Sequence, residues 1–319
     1  MKSANNPLLI ILVALSLSFS FQETKAQTPT DAVMMKPGQL CLEAAYEHAR
    51  WRKYWEGTNK RENGNIGTFR RHAIVPMFNL GIVKWLNVMA AFPYVITSPT
   101  AGQIEGAHGF SDFGLWLKAA PLHKELSSGT LDILATAGFS VPMSDYVPDY
   151  AYSLGMGCME GSFKAIVQYR IKKGFYARAH AGYMVRGDCT IPRTYYYTTQ
   201  GYYTDRVNIP NAMDYSGVLG YLASSGQYKA EIRAEGMHTF GGFDIRVQDM
   251  GFPSNKIAYT RLGGFFEYHP SFAKALGVKA WGGYVVAGRN TGQSAIIGSA
   301  INYTFRLWNR EKKEESSTK

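Results

Sequence analysis

Alternation of apolar and polar residues over many short segments is the feature that most constrains this chain. The clearest run sets Leu131, Ile133, Ala135, Ala137, Phe139 and Val141 against Asp132, Thr136, Gly138 and Ser140. Similar runs occupy residues 175–186, 228–235 and 297–307. Neighbouring side chains of a β-strand point to opposite faces, so each run predicts a strand with one apolar and one polar face. About twelve such strands can be recognised, and the chain is therefore predicted to be all-β.

The connections between these segments alternate between short and long. Transmembrane barrels keep their periplasmic turns short and let their extracellular loops grow. The chain is therefore predicted to form a transmembrane antiparallel up-and-down β-barrel of about 12 strands, with a range of about 10 to 14, and both barrel termini in the periplasm. A soluble β-sandwich, the alternative, has no reason to segregate its loops by length. Short turns are predicted at residues 79–85, 121–129, 172–174, 224–227 and 269–277. Longer loops are predicted at 53–67, 97–109, 143–157, 187–211 and 241–255, with a short final loop at 289–293.

The first 26 residues do not fit the strand pattern. Lys2 precedes an apolar run over residues 7–21, and the small residue Ala26 follows a short polar stretch. This order is typical of a secretory signal peptide, and the run is shorter than the ~18 residues that a membrane-spanning helix needs. Cleavage before Gln27 is therefore expected rather than a membrane anchor. The predicted domains are a signal peptide over residues 1–26, an outer-membrane β-barrel over 27–308 and a charged periplasmic tail over 309–319.

Composition agrees with a barrel that has an apolar outside and a wet inside. Aromatic residues make up 14% of the chain, charged residues 18%, and glycines number 33. Trp51, Tyr54, Trp55, Trp85 and Trp308 lie near predicted strand ends, where aromatic side chains mark membrane interfaces. The formal net charge of +10 is dispersed along an exported chain. Lipids of the bacterial outer membrane, in a Gram-negative-type envelope, are therefore expected as partners, and nucleic acid is not.

Three segments carry short sequence motifs that are similar to those of a known family. Residues 81–95 form a turn and an alternating strand that ends in Pro-Tyr, residues 109–118 place an Asp two positions after Phe110 and end on a Lys, and residues 131–146 carry Gly, Pro and a Ser-x-Tyr ending. They resemble the family named for the meta-pathway of phenol degradation, a set of outer-membrane barrel proteins of transporter type. The resemblance covers the first half of the mature chain, with Ser111 where that family more usually has glycine. It implies a barrel that moves small apolar or aromatic molecules, and it supplies no catalytic residues.

Side chains on the polar faces of the predicted strands are expected to line the lumen and set its selectivity. Charged side chains there either line a wet channel or pair across the wall, and pairing is favoured for Glu231, Arg233 and Glu235. Arg170, Arg178 and Lys164 lie on two strands joined by a tight turn, so a basic patch and mild anion selectivity are expected. The lumen candidates are Glu43, Glu47, Asp112, Lys118, Asp132, Lys164, Gln168, Arg170, Arg178, His180, Lys229, Glu231, Arg233, Glu235, Asn302 and Arg306.

The long loop 187–211 is rich in tyrosine and is a candidate binding surface. It contains Tyr195, Tyr196, Tyr197, Tyr202 and Tyr203. Loops of this length usually have a function or are disordered. The tyrosines are compatible with a plug, with a surface that binds sugars or aromatic molecules, and with a hairpin that extends the wall above the membrane.

Three cysteines in an exported chain suggest a disulfide. Cys158 and Cys189 flank two strands whose turn is centred near Lys173, and both lie about fifteen residues from that turn, so an antiparallel hairpin would set them opposite each other. A disulfide between them is predicted, with Cys41 left free in the wall.

Sequence signatures of enzymes are absent: there is no paired-cysteine zinc spacing, no Gly-x-Ser-x-Gly and no phosphate-binding loop. The seven histidines are scattered, and His269 with Ser271 is a poor candidate for a Ser/His pair. No cofactor or metal is predicted. The expected function is a monomeric, porin-like channel or transporter for small solutes that are apolar, aromatic or anionic. The alternatives are a barrel lipid-modifying enzyme and a non-transport barrel that binds partners at its surface.

Overall fold

The computed structural model describes residues 27–103, 105–149, 152–246 and 251–308. The signal peptide and the charged tail predicted above lie outside these residues. The main sheet has fourteen strand segments, which make twelve wall strands because β3 and β4 are each interrupted once. The strands are β1 Gln39–Trp51, β2 Phe69–Val83, β3 Leu86–Ala91 and Tyr94–Ser98, β4 Ala107–Phe110 and Asp112–Glu125, β5 Gly129–Pro142, β6 Glu160–Ile171, β7 Phe175–Arg186, β8 Ala212–Leu222, β9 Tyr228–Thr239, β10 Ala258–Tyr268, β11 Leu276–Arg289 and β12 Ala295–Arg306.

Every wall strand pairs antiparallel with its neighbours in the chain, and β1 pairs with both β2 and β12. The sheet is therefore closed into a barrel, which leaves no edge strand exposed in the wall. The predicted fold class, an up-and-down barrel of twelve strands, is confirmed. No helix in the described part of the chain is long and apolar enough to cross a membrane.

The two faces of the wall follow the alternation of the sequence. Leu219, Ile232 and Ile297 point outward and are 67%, 74% and 62% exposed. Their inward neighbours are buried or polar, as in β9, where Glu231 is almost fully buried beside Ile232. A band of large apolar side chains this exposed is stable only when it contacts an apolar environment. The outside of the barrel is thus suited to lipid.

The connections sort by length as the sequence predicts. Loops L1 to L6 follow the odd-numbered strands and lie at one end of the barrel, which we call the long-loop end. The turns that follow the even-numbered strands lie at the other end, the short-turn end. The loops are L1 52–68, L2 99–106, L3 143–159, L4 187–211, L5 240–257 and L6 290–294, and the turns are 84–85, 126–128, 172–174, 223–227 and 269–275.

The first described residues, 27–38, are not part of the wall, although the sequence pattern assigns them to the barrel domain. We call them the inner segment, because they enter the lumen from the short-turn end. Gly38 fixes the point of entry: its N–H donates to the carbonyl of Gly81 on β2, and its own carbonyl accepts from Leu307 after β12. At the far end of the inner segment, Gln27 is fully buried.

Candidate functional site

The inner segment is held in the lumen by a buried ion pair. Lys118 on β4 points inward, and its Nζ lies 2.7 Å from Oδ1 of Asp31 and donates to the carbonyl of Thr28 at 2.9 Å. The Lys118 side chain is fully buried and that of Asp31 almost so. Breaking a buried pair by removing one partner leaves an uncompensated charge, which costs about 3–5 kcal/mol. The pair therefore anchors the segment firmly.

The wall also holds the backbone of the inner segment. Thr136 on β5 donates from Oγ1 to the carbonyl of Pro29 at 3.0 Å, and Asn79 on β2 donates from Nδ2 to the carbonyl of Gln27 at 3.3 Å. Within the segment, Asp31 accepts hydrogen bonds from the backbone N–H of Thr28 and of Val33. The segment is therefore a compact turn that fills the barrel between β2 and β5.

The charge state of Asp31 follows from these contacts. Burial alone would raise the pKa of Asp31, but the nearby Lys118 ammonium, with smaller contributions from Lys229 and Arg178, outweighs it and holds the pKa below the ordinary value of 3.8. Asp31 is therefore a carboxylate at neutral pH, and it accepts from its partners as an anion.

Below the inner segment, towards the short-turn end, lies a cavity of about 330 Å³ that we call the lower cavity. Residues 32–34 form its roof, and its wall includes the lumen candidates Asp132, Gln168, Arg170, Arg178 and Lys229. Asp132 also lies 2.6 Å from Nδ1 of His123. These side chains therefore face a cavity inside the wall, and the sequence gave no sign of the segment that covers them.

A charge cluster centred on Glu231 lies on the wall between the levels of the lower cavity and the next one. The Glu231 carboxylate accepts two hydrogen bonds from the Arg178 guanidinium, at 2.9 and 3.1 Å, and a third from Arg233 at 2.7 Å. Lys229 lies 3.2 Å away and the Tyr176 hydroxyl donates at 2.5 Å. One fully buried carboxylate therefore holds three cations.

This pairing corrects the predicted basic patch. Arg178 is neutralised by Glu231, and Lys164 pairs with Asp214, which also lies 3.3 Å from His180. The physical reason is that partners come from β8 and β9, strands that a turn-based argument about β6 and β7 did not consider. Two of the three expected patch residues are therefore charge-compensated. The third is Arg170, which lines the lower cavity.

Above the inner segment lies a cavity of about 400 Å³, the middle cavity, which Thr28 touches from below. The candidates Glu43, Glu47, Arg233 and Glu235 line it. Three of these side chains have inward-facing partners. Glu43 pairs with Lys279 at 2.6 Å, Glu235 with Arg261 at 2.5 Å, and Glu47 accepts from the Trp281 indole at 3.1 Å.

Two aromatic rings shape the middle cavity. Trp281 lies against Gly298, where an added Cβ would come within 2.2 Å of the indole, so only glycine leaves room for the ring. Phe265 carries the Arg233 guanidinium 4.2 Å from its ring centroid, a cation–π contact. The middle cavity therefore offers flat apolar surfaces beside paired charges.

At the long-loop end, a cavity of about 530 Å³ opens between L1, L2, L3, L5 and L6. We call it the mouth cavity. Trp51, Tyr54, Met156, Phe252 and Ile257 are among the large side chains in its lining. Trp51 and Tyr54 were predicted to lie in the lipid-facing aromatic belt. This prediction is wrong, because Trp51 at the end of β1 and Tyr54 in L1 both line the mouth cavity. Trp55, from the same belt, is buried.

Loop L3 closes part of the mouth from above. Its Leu154 is buried against Ala73 and Val95 on the inner wall, and the Leu154 carbonyl accepts from Ser111 at 2.6 Å. The candidate Asp112 accepts from the Tyr146 hydroxyl and from the backbone N–H of Met156. Asp112 is therefore a positioning residue for L3 rather than an open lumen charge.

The five tyrosines of L4 form a small hairpin rather than a cavity wall. Tyr196 pairs with Tyr202 across two short strands, and their rings stack at 5.1 Å. Tyr195 and Tyr197 are half exposed, and Tyr203 is 90% exposed. None of the five lines the mouth cavity that the structure describes. Their arrangement matches a hairpin that extends above the wall.

The predicted disulfide is absent, since Cys41, Cys158 and Cys189 are all free and buried. The register of β6 and β7 pairs Glu160 with Arg186, so two residues further on Cys158 would face Asp188 and not Cys189.

The thiols of Cys158 and Cys189 nevertheless belong to one apolar cluster with Ile191, Val207 and Ile209. Burial raises the pKa of Cys158 to about 11 and that of Cys189 to about 12, so both stay protonated.

The remaining candidates lie near the short-turn end. Asn302 on β12 is almost fully buried, and Arg306, four residues later, is half-buried opposite Gln39. His269 pairs with Glu267 at 3.1 Å, which accounts for its burial without a catalytic partner. Among the described residues, no group of three His, Cys, Asp or Glu side chains is placed to hold a metal ion.

Solved structures of outer-membrane barrels share this architecture. An outer-membrane channel from Pseudomonas putida F1 superposes with a TM-score of 0.67 at 13% identity, over 88% of this chain and 100% of that one. The translocator domain of the autotransporter NalP from Neisseria meningitidis and the CymD monoaromatic hydrocarbon channel are more distant, both at 11% identity. Their TM-scores are 0.45 and 0.43, over 94% of both chains for NalP and over 87% of this chain and 90% of that one for CymD.

No family model and no curated protein matches the chain. The resemblance to the phenol-degradation family is thus supported at the level of architecture, and membership of that family stays a prediction. The closed wall, the sorted loops and the superposition agree on one point. The protein has the fold of an outer-membrane β-barrel channel.

Proposed function

We propose that the protein is an outer-membrane channel for small solutes that is closed at rest by its inner segment. The observation that carries this proposal is the succession of three cavities inside one closed wall. The mouth cavity opens among the loops, the middle cavity follows, and the lower cavity ends among the short turns. The inner segment lies between the last two, so its movement would join them.

The linings favour a solute with an apolar or aromatic part and a polar group. The mouth cavity is rich in aromatic and aliphatic side chains, and its volume of about 530 Å³ is in the range of small-molecule sites. The middle cavity adds the Trp281 and Phe265 rings beside paired charges such as Arg261 and Glu235. Paired cations attract anions weakly, so anionic solutes are the less suited class.

The orientation in the membrane follows from barrel architecture. The apolar outer band would contact outer-membrane lipid, the long-loop end would face outward, and both termini would lie in the periplasm. The closed wall needs no second subunit to complete it, which supports a monomer.

Single-channel conductance of the mature protein in a planar bilayer tests the proposal. The wild type is expected to give short, infrequent current steps. Asp31→Asn is expected to raise the open fraction by about tenfold or more, since loss of one partner of a buried ion pair costs about 3–5 kcal/mol. The step size of the open state should be unchanged.

Asp132→Asn is the matched control, because it removes one carboxylate from the lower cavity without touching the inner segment. It is expected to keep the short openings of the wild type. Silence from the wild type and from Asp31→Asn, in protein shown to be folded, would exclude a channel gated by the inner segment. A permanently open wild type would show that the segment is no barrier.

A further inference from the structure

The outward face of β1 and β2 changes from apolar to basic as the strands approach the long-loop end. Leu42 on β1 and Ile74 on β2 are exposed apolar residues of the outer band. Beyond Tyr46 on β1 and Ile74 on β2, the next outward positions towards the loops carry histidine and then arginine. The strand register sets His48 opposite His72 and Arg50 opposite Arg70. We call these four residues the outer basic patch.

The two arginines face each other without a carboxylate between them. Both are exposed, and neither forms an ion pair with any residue of the described ranges. Like charges directly opposite each other destabilise a pair of strands. Inside the barrel, in contrast, Arg178 and Arg261 each contact a carboxylate. Arg50 and Arg70 have no such partner among the described residues, and their arrangement therefore calls for an external anion.

The loop that joins these strands adds to the positive charge. From residue 50 to residue 70 the chain carries six basic side chains and two acidic ones. Both carboxylates are already engaged: Glu56 binds Arg61 at 2.7 Å, and Glu62 lies 3.7 Å from Arg52 and 3.6 Å from Lys53. No acidic side chain in this stretch remains for the arginines.

The side chains below the arginines suit the region between a headgroup and its acyl chains. The His48 and His72 rings lie 4.5 Å apart, and the Tyr46 hydroxyl lies 2.7 Å from Nδ1 of His72. On either side of this row, Ile297 pairs with His48 and Ile96 with His72, and both isoleucines are exposed. Arginine side chains, then histidine and tyrosine side chains, and then apolar surface therefore follow one another down the wall.

We propose that the outer basic patch binds the phosphate groups of a lipid headgroup in the leaflet next to the long loops. Each guanidinium presents paired N–H donors that match phosphate oxygens, and a phosphate between Arg50 and Arg70 replaces their repulsion with two charge-assisted contacts. The apolar residues below contact the acyl chains of the same lipid. This inference rests on the placement of the barrel in a membrane and is independent of channel activity.

Native mass spectrometry of the protein in neutral detergent tests the proposal with two probes, bisphosphorylated lipid A and the same lipid without phosphate. The wild type is expected to bind the phosphorylated lipid at least about tenfold more tightly, as charge-assisted hydrogen bonds predict. The double variant Arg50→Gln, Arg70→Gln should lose that preference. Lys124→Gln should keep it, since Lys124 is an exposed outer cation at the short-turn end.

Thermal unfolding gives a second readout, because the difference in unfolding temperature between the double variant and the wild type should change sign when lipid is added. Without lipid, the double variant should unfold at a higher temperature than the wild type, because the repulsion is removed. With phosphorylated lipid the order should reverse. If the double variant does not fold, the two single variants carry the same test.

Three outcomes would overturn the proposal. The first is equal affinity of the wild type for both lipids, and the second is an unchanged preference in the double variant. The third is equal stabilisation of the wild type by inorganic phosphate at the same concentration, which would assign the patch to a free anion.

Discussion

Glu231 shows how much of the interior depends on single side chains. It is fully buried and is shared by Arg178, Arg233 and Lys229. Such a carboxylate has two effects that can be separated by measurement. It stabilises the wall by compensating buried cations, and it cancels the positive field that those cations would otherwise produce in the lumen.

Glu231→Gln is expected to lower the free energy of unfolding by about 3–5 kcal/mol, because three cations lose their anion. It should also shift the reversal potential of open channels towards anions. Urea unfolding in micelles and bilayer recording under a salt gradient measure the two effects. Glu235→Gln is the matched control, since its only ion pair in the described structure is with Arg261 and is partly exposed. A stability loss no larger than that of the control would contradict the role given to Glu231.

Among single residues, the sequence indicated the inward position of side chains such as Lys164 and Arg178 and missed their partners. Alternation fixes the face of Lys164 or Arg178, because the side-chain period of a strand is two. The partners Asp214 and Glu231 come from strands that a local argument does not bring close. Trp51 and Tyr54 were misplaced for a related reason, since an aromatic side chain at a strand end suits both a lipid interface and a loop-lined cavity.

The inner segment is the element that sequence patterns did not reveal. Residues 27–38 are too short and too mixed in polarity to read as a strand, and the anchor at Lys118 lies far along the chain. Only the closed barrel shows that Lys118, Thr136 and Asn79 converge on one lumen level. The loops, in contrast, could be sorted by length alone, because the alternation of turn residues and strand runs is local.

We call Gly38 the pivot, because the inner segment enters the lumen at this residue. Its substitution tests directly how the segment is held. Its φ is +77°, and an added Cβ would meet the carbonyl oxygen of Trp308 at 2.2 Å. Gly38→Ala is therefore expected to lower the free energy of unfolding by at least about 1–2 kcal/mol, the cost of a left-handed non-glycine residue. Gly161→Ala, where an added Cβ meets nothing within 4 Å, serves as control in the same urea titration. Equal stability of the two variants would show that the pivot tolerates a side chain.

For the whole molecule, the architecture can be predicted from the sequence, because the alternation of apolar and polar residues requires the sheet to close into a barrel. Twelve amphipathic strands with an apolar outer face satisfy their backbone groups in lipid only when the first and last strands pair. The register of β1 with β12 confirms that pairing. The contents of the lumen do not follow in the same way, since many side-chain arrangements fit one wall.

Acidification is expected to release the inner segment and so to raise the conductance of the barrel. Neighbouring cations hold the pKa of Asp31 below 3.8, so the contribution of its carboxylate to the ion pair with Lys118 is fully present above about pH 4 and is lost as the pH falls further. Conductance of the wild type is therefore expected to be constant from about pH 7 to about pH 5 and to rise below about pH 4. Asp31→Asn should show the high conductance at every pH. A wild-type transition near neutral pH would assign the gate to another group.

The covalent link at Gly38 has a kinetic consequence. A blocker that is part of the chain finds its site again by an intramolecular step, at an effective concentration in the millimolar range for a short flexible tether. Closure should therefore be fast and independent of how many protein molecules share the membrane. A free peptide with the sequence of residues 27–35 would have to reach about that concentration to compete.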